Sequence, residues 1–211
     1  MTALLMDIDG VLIRDKKLLK HVSENCVRYV RTKLPMSKTP EEVNRILYLA
    51  HGHTGLGLRQ VFGINTTDFD KEVYDTSLLD HLADVIYSKE FQKEAAEVHE
   101  FTQQGWDLTL FTNSPEVWAR PVALAIGDSV KYKCPGALKP LADAYVSFPK
   151  DREYVFVDDS PKNLGTVRWL PSWKPVLFGS ECDFCPAVGS MWELSLYLST
   201  IKEKQKHGVF I

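Results

Sequence analysis

The chain has 211 residues, a formal charge of −3 and a pI near 6.1, so it can bury one substantial core but lacks the basic balance of a nucleic-acid surface. Its 45% apolar and 25% charged composition is that of an ordinary globular protein, with no apolar run approaching the ~18 residues of a membrane span. No basic-then-apolar leader opens it, which predicts a cytoplasmic protein with no membrane or nucleic-acid partner. Four cysteines, Cys26, Cys134, Cys182 and Cys185, are too few and too scattered for a disulfide framework, and the single C-x-x-C lacks the second pair a structural zinc site wants.

Near the start, Ala3 to Met6 form a short apolar run that fits a strand buried on both faces. Asp7, Asp9 and Gly10 follow, and the glycine permits a sharp turn out of the strand. From about residue 14 to 87 the pattern is helical. Residues 23–32 read as a helix, and Thr39-Pro40-Glu41-Glu42 is a helix start, with a Thr cap, Pro at the first position and Glu three after the cap. Val43, Ile46, Leu47 and Ala50 continue it at helical spacing. Gly52, Gly55, Gly57 and Gly63, with His51, His53 and Thr54 interleaved, predict a loop. Ser77 then begins a helix through Leu78, Leu79, Leu82 and Ile86.

Beyond residue 87, strands and helices alternate. Phe91, Ala95, Val98 and Phe101 form one face of a helix ending at Gly105, and residues 107–111 form a strand. The helix that follows, to Gly127, contains Pro121, which predicts a kink or a split. Residues 130–134 read as a short strand, and residues 139–145 as helical. Residues 154–157 form a strong strand whose following helix closes at 167–170. Residues 175–178 read as a last strand and 191–204 as a closing helix. This rhythm predicts an α/β fold with a doubly wound parallel sheet, residues 1–13 and 88–211 forming the core and 14–87 an all-helical insertion.

Three predicted strand ends supply Asp7 and Asp9, Thr112 and Asn113, and Asp158 and Asp159. Open α/β sheets bind ligands at that rim. Four carboxylates gathered there repel one another, and a hard divalent cation with oxygen ligands, Mg²⁺ first among them, resolves the repulsion. A phosphate is then the natural substrate group, and Lys139, in Gly136-Ala137-Leu138-Lys139-Pro140, supplies a fixed cation, with Lys131 and Lys133 as rivals. Phe111-Thr112-Asn113-Ser114-Pro115 echoes Val157-Asp158-Asp159-Ser160-Pro161: an apolar strand, two polar residues, a Ser cap and Pro at a helix start. Both strand ends therefore meet a helix N-terminus, which suits an anion. Each stretch alone also fits a plain cap, turn or solvated lysine. Jointly, those ordinary readings need four coincidences in the right order.

The four stretches, D-x-D-G-V, an apolar strand then T-N-S, K-P, and V-D-D-S-x-x-N, resemble in order the four motifs of the haloacid-dehalogenase-like superfamily of phosphotransferases, from Ala3 to about Phe178. The helical interval between the first two resembles that family's helical cap. Within it, Tyr48-Leu49-Ala50-His51-Gly52-His53-Thr54-Gly55-Leu56-Gly57-Leu58 resembles the Y-x-x-x-G-x-T-x-x-G-L pattern of the pyrimidine 5′-nucleotidase-like branch. The resemblance implies a Rossmannoid core and a Mg²⁺-dependent phosphatase acting on a small phosphorylated metabolite. Asp7 would be the nucleophile that becomes an aspartyl-phosphate, and Asp9 the acid and base. Asp7, the backbone carbonyl of Asp9, Asp158 and Asp159 would hold Mg²⁺. Thr112, the Asn113 amide and Lys139 would bind the phosphate.

A nucleoside 5′-monophosphate is the substrate this resemblance implies, with His51, His53 and Thr54 as candidate contacts of the cap; Arg59 is as readily a surface charge. The alternatives are a sugar- or glycolate-phosphate phosphatase and a non-catalytic binding module of the same fold. Dehalogenation is disfavoured by Asp9, since a halide leaving group needs no acid. Four retained charged stations disfavour the module, because unused buried carboxylates are costly.

Overall fold

The computed structural model describes residues 2–34, 39–134, 136–179 and 181–206. Its centre is a parallel six-stranded sheet of β1 (Ala3–Met6), β2 (Asp107–Phe111), β3 (Lys131–Lys133), β4 (Tyr154–Asp158), β5 (Trp173–Phe178) and β6 (Ala187–Val188). The order is β3-β2-β1-β4-β5-β6, so β1 lies between β2 and β4. Met6 pairs with Leu110 on one side and Val157 on the other, which brings the three polar strand ends level. All four residues of β1 and all five of β4 are buried, as a strand covered on both faces requires. The short β6 pairs with β5 through Leu177 and Phe178, an edge too brief to show in the hydrophobic pattern.

Between β1 and the core helix α6 (Lys89–Gln103) run α1 (Lys16–Lys33), α2 (Pro40–His51), α3 (Thr54–Phe62), α4 (Phe69–Val73) and α5 (Thr76–Ile86). The interval has no strand among its described residues. Helix α1 begins well before the expected residue 23, capped by Asp15, whose side chain accepts the Leu18 amide. The Thr39 cap and N1 proline of α2 are as expected. Cys26, Tyr29, Val30, Leu47, Leu58, Phe69 and Val73 form a cluster of their own, whereas Leu78, Leu82 and Ile86 of α5 pack into the main core.

The expected loop from Gly52 to Gly57 is instead the end of α2 and the start of α3. Gly52 caps α2 with φ 72°, and the His53 ring caps α3 by accepting the Leu56 amide at 3.2 Å. Gly55 and Gly57 lie inside α3, where neighbours approach them closely. An ideal Cβ on Gly57 would lie 2.9 Å from Leu47 Cβ, and one on Gly55 would lie 3.1 Å from the Phe69 ring.

In the core, α7 (Glu116–Ile126) runs unbroken through Pro121, which lacks the amide that would bond Val117 on the exposed face. Residues 139–145 give only a 3-10 turn at Ala142–Ala144. Helix α8 (Pro161–Val167) stops short of residue 170, and α9 (Met191–Lys206) closes the chain. No described helix is long and apolar enough to cross a membrane.

Candidate active site

The segment leaving β1 folds tightly on itself. The Asp7 amide extends the ladder to the Val157 carbonyl at 2.9 Å, and the Leu12 and Ile13 amides then both donate to the Ile8 carbonyl at 2.8 Å. Gly10 turns the chain with φ 86°, and an ideal Cβ there would lie 2.0 Å from Asp159 Oδ2. The backbone conformation at this position disfavours any side chain, and a Cβ would also displace the Asp159 carboxylate.

Lys139 is the lysine set among the carboxylates, and it is 1% exposed. Its Nζ lies 3.0 Å from Asp7 Oδ2 and 2.8 Å from Asp158 Oδ2, and donates to the Phe111 carbonyl at 2.7 Å. All three donor positions of the ammonium are thus used. Its backbone is clamped by Asn113, whose Nδ2 donates to the Lys139 carbonyl at 2.9 Å while the Lys139 amide donates to Asn113 Oδ1 at 2.8 Å. Both rivals are engaged elsewhere: Lys131 pairs with Asp107 at 2.8 Å, and Lys133 lies over the Phe148 ring at 3.9 Å.

Asp158 is fully buried and accepts the Ser160 amide at 2.9 Å and Asn163 Nδ2 at 3.0 and 3.1 Å. Asp7 Oδ1 accepts the Ile8 amide at 2.7 Å. Thr112 Oγ1 accepts the Ser114 amide at 3.0 Å. The expected helix cap at Ser114 is absent, because its hydroxyl donates to Asp9 Oδ2 at 2.6 Å. Trp118 Nε1 donates to the other oxygen of Asp9 at 3.0 Å, and the Tyr74 hydroxyl stands 3.0 Å from Ser114 Oγ. Trp118 and Tyr74 carry no motif signal; Trp118 reaches Asp9 from the first turn of α7, and Tyr74 reaches Ser114 from the helical interval.

Burial pushes the Asp7 carboxyl well above the usual range; Lys139 opposes the shift, while Asp158, Asp9 and Asp159 add to it. Burial likewise raises Asp9, against the hydrogen bonds from Ser114 and Trp118. Asp159 is pushed up to about 6 by burial and then by Asp158. Burial alone would lower the Lys139 ammonium, but Asp158 and Asp7 outweigh it and hold it above the usual lysine range. One buried cation is therefore set against four carboxylates, three of which resist ionising.

A divalent cation fits that imbalance. Asp7, Asp158 and Asp159 each offer an oxygen, all within 4.8 Å of one another. An all-oxygen, anionic donor set suits a hard ion such as Mg²⁺.

A cavity of about 260 Å³ opens over these groups. Asp7, Asp9, Thr112, Asn113 and Asp159 line its floor; Leu19, Val22, Cys26, Tyr48, Phe69 and Tyr74 supply a largely apolar wall from the helical interval. His53 and Thr54 also line it, and both serve the helices as well. The His53 ring caps α3 and stands 5.1 Å from the Phe69 ring, with burial and then Arg59 bringing its pKa down to about 4. Thr54 Oγ1 donates to Asn44 Oδ1 at 2.6 Å. His51 is not among the lining residues, and its Nδ1 stands 2.8 Å from Gln60 Oε1. Arg59 lines an adjoining cavity of about 200 Å³ that also touches Asn113 and Ser114.

No protein-family model and no curated protein sequence matches the chain. Solved structures do. A HAD hydrolase, family IA, variant 3, from Entamoeba histolytica HM-1:IMSS aligns at 17% identity over 92% of this chain and 95% of its own, with a TM-score of 0.57. CbbY from Rhodobacter sphaeroides, solved in complex with phosphate, aligns at 15% identity over 92% and 96%, with a TM-score of 0.59. Phosphoserine phosphatase from T. onnurineus aligns at 16% identity over 93% of both chains, with a TM-score of 0.55. Over nearly its whole length, the chain has the Rossmannoid α/β fold of these HAD-type hydrolases.

Proposed function

We propose that the chain is a Mg²⁺-dependent phosphatase that hydrolyses a small phosphate monoester through an aspartyl-phosphate on Asp7. The observation that carries this reading is the buried Lys139 ammonium bridging Asp7 and Asp158 beside Asp159. Asp7, Asp158 and Asp159, with the Asp9 backbone carbonyl, would hold the ion. When bound, Mg²⁺ supplies positive charge that lets these carboxylates ionise together and offsets charge on the phosphoryl oxygens.

Asp7 is aimed by two contacts, Lys139 on one oxygen and the Ile8 amide on the other. An Asp7 oxygen attacks phosphorus as the bond to the leaving oxygen breaks. Asp9, whose raised pKa favours a bound proton, gives that proton to the departing alkoxide. The ionised Asp9 then takes a proton from water, which attacks the aspartyl-phosphate and frees Asp7 and inorganic phosphate. Thr112 and the Asn113 amide orient the phosphoryl group while Lys139 balances its charge, so most of the rate comes from positioning and electrostatics.

The substrate we propose is a nucleoside 5′-monophosphate. Two observations favour it: the Tyr48–Leu58 sequence pattern, and the apolar wall of the cavity. A flat base covers such a wall well, whereas a sugar phosphate would leave hydroxyls unpaired against hydrocarbon. Residues 14–87 would act as the lid carrying that wall, over a core of residues 1–13 and 88–211.

The test is hydrolysis of p-nitrophenyl phosphate with and without chelator, followed by a panel of nucleoside monophosphates against sugar and glycolate phosphates. Asp7→Asn is nearly isosteric and is expected to abolish turnover with the fold intact. Full activity in excess chelator, or near-normal turnover by Asp7→Asn with deamidation excluded, overturns the mechanism. A preference for sugar or glycolate phosphates overturns the nucleotide assignment alone.

A further inference from the structure

Away from the carboxylates, Cys182 and Cys185 lie in the turn that carries the chain from β5 back to β6, packed against Tyr145, Trp173 and the other aromatic residues under the sheet. Their sulfurs are 3.3 Å apart and unbonded, with the Cys185 thiol donating to Cys182 Sγ. A thiol donating to the neighbouring sulfur favours the thiolate on Cys182 and leaves Cys185 as the protonated partner. No third histidine, cysteine or carboxylate completes a metal set around the pair among the described residues.

We propose that Cys182 and Cys185 are a redox-active dithiol, with Cys182 the attacking thiolate and Cys185 the resolving thiol, oxidised by low-molecular-weight disulfides. The Cys182 thiolate attacks one sulfur of the external disulfide. A mixed disulfide forms, and the other half leaves as a thiolate that picks up a proton. Cys185 then gives up its proton and attacks Cys182 Sγ, displacing the second half as a thiolate. Two protein thiols are oxidised to one disulfide, and one external disulfide is reduced to two thiols.

The electrostatics agree with this division of roles. Burial opposes ionisation of Cys182, but the Phe184 amide, the Cys185 thiol and the Cys185 amide together hold its pKa below the usual thiol value. Burial, then the hydrogen bond and charge of Cys182, push Cys185 up to about 12. The sulfurs must close to about 2.05 Å for a disulfide, a movement within reach of side-chain rotation in an exposed turn. The bond would staple the turn on which the two-residue β6 depends for its place at the sheet edge, where the Leu177 amide already donates to the Pro186 carbonyl at 2.9 Å.

The test equilibrates the full chain with glutathione and glutathione disulfide, quenches with an alkylating agent and maps the peptides by mass. A Cys182–Cys185 disulfide is expected, with Cys26 and Cys134 free. Cys185→Ser should accumulate glutathione on Cys182, and Cys182→Ser should leave Cys185 unmodified. In the reduced protein, Cys182 should be alkylated on the order of tenfold faster than the exposed Cys134. Absence of the disulfide at the oxidising limit, or equal glutathione capture by the two variants, overturns the proposal. So does zinc that copurifies with the chain and is lost in either variant, which would make the pair half of a metal site.

Discussion

At Asp9, the proton carrier of the proposed reaction, the controlling contacts come from two segments far apart in the chain. Ser114 and Trp118 each hold one oxygen, and Tyr74 touches Ser114 from the helical interval. Asp9→Asn should lose at least ~10²-fold in turnover, the usual scale for a positioned acid or base. Trp118→Phe keeps the ring but removes one donor, so it should lose less, with a smaller deficit on p-nitrophenyl phosphate than on a nucleotide. A deficit equal on both would make Trp118 a packing residue only.

Asp159 gives a second test at this scale. Its folded-state pKa, about 6, lies above the ordinary 3.8. The metal-free folded state therefore holds a proton that the unfolded chain has released, and stability from this group falls as pH rises from about 4 through about 6. The raised Asp7 carboxyl acts in the same direction. Mg²⁺ should relieve this, so thermal melts should show a larger Mg²⁺-induced rise in Tm at pH 7.5 than at pH 5. An equal rise at both removes Asp7 and Asp159 from the proposed metal set. The carboxylates and the Thr112-Asn113 pair were legible in the sequence because they stand at the ends of apolar strands, and Lys139 because it precedes a proline. Trp118 and Tyr74 were not, because the contacts they make join segments far apart in the chain.

At the level of elements, the sequence showed most clearly those whose periodicity comes from facing one core. The face of α6, the strand β2 and the caps of α2 all follow local rules. Helix α3 breaks them: its glycines look like punctuation, but they lie inside a helix where a Cβ would crowd Leu47 at Gly57 and the Phe69 ring at Gly55. Local propensity has no access to that crowding. Gly57→Ala would improve helix propensity and still destabilise the protein, by ~1–3 kcal/mol as the α2–α3 contact is overpacked. A lower urea midpoint with an unchanged slope is the expected result; an unchanged or higher midpoint would mean that Leu47 yields without cost. The 3-10 turn after Lys139 has a similar origin. There the chain follows the clamp by Asn113 rather than the helical spacing of its alanines.

For the molecule as a whole, alternation of strands and helices was enough to give the parallel sheet, and the break in that alternation gave the helical interval. The division of the interior was less visible. Helices α1 to α4 share a small apolar cluster, yet α5 joins the main core, so the proposed lid stands on a helix that belongs to its base. If the wall carried by α1 reads the leaving group, Val22→Asn should weaken turnover of nucleoside monophosphates by ~1–3 kcal/mol in kcat/KM. Acetyl phosphate, too small to reach that wall, should be hardly affected. Equal losses on both would assign Val22 to the support of the fold.

The parallel pairing of β1 also sets the order in which the site can come into being. Met6 has Leu110 on one flank and Val157 on the other, and Lys139 reaches Phe111, Asp7 and Asp158 at once. In a chain still being synthesised, Asp7 precedes β2, Lys139 and β4, so its full set of neighbours is assembled only when β4 has joined the sheet. Such long-range pairings form late, after large loops have closed. The carboxylate cluster around Lys139 and the tertiary structure therefore arrive in the same step.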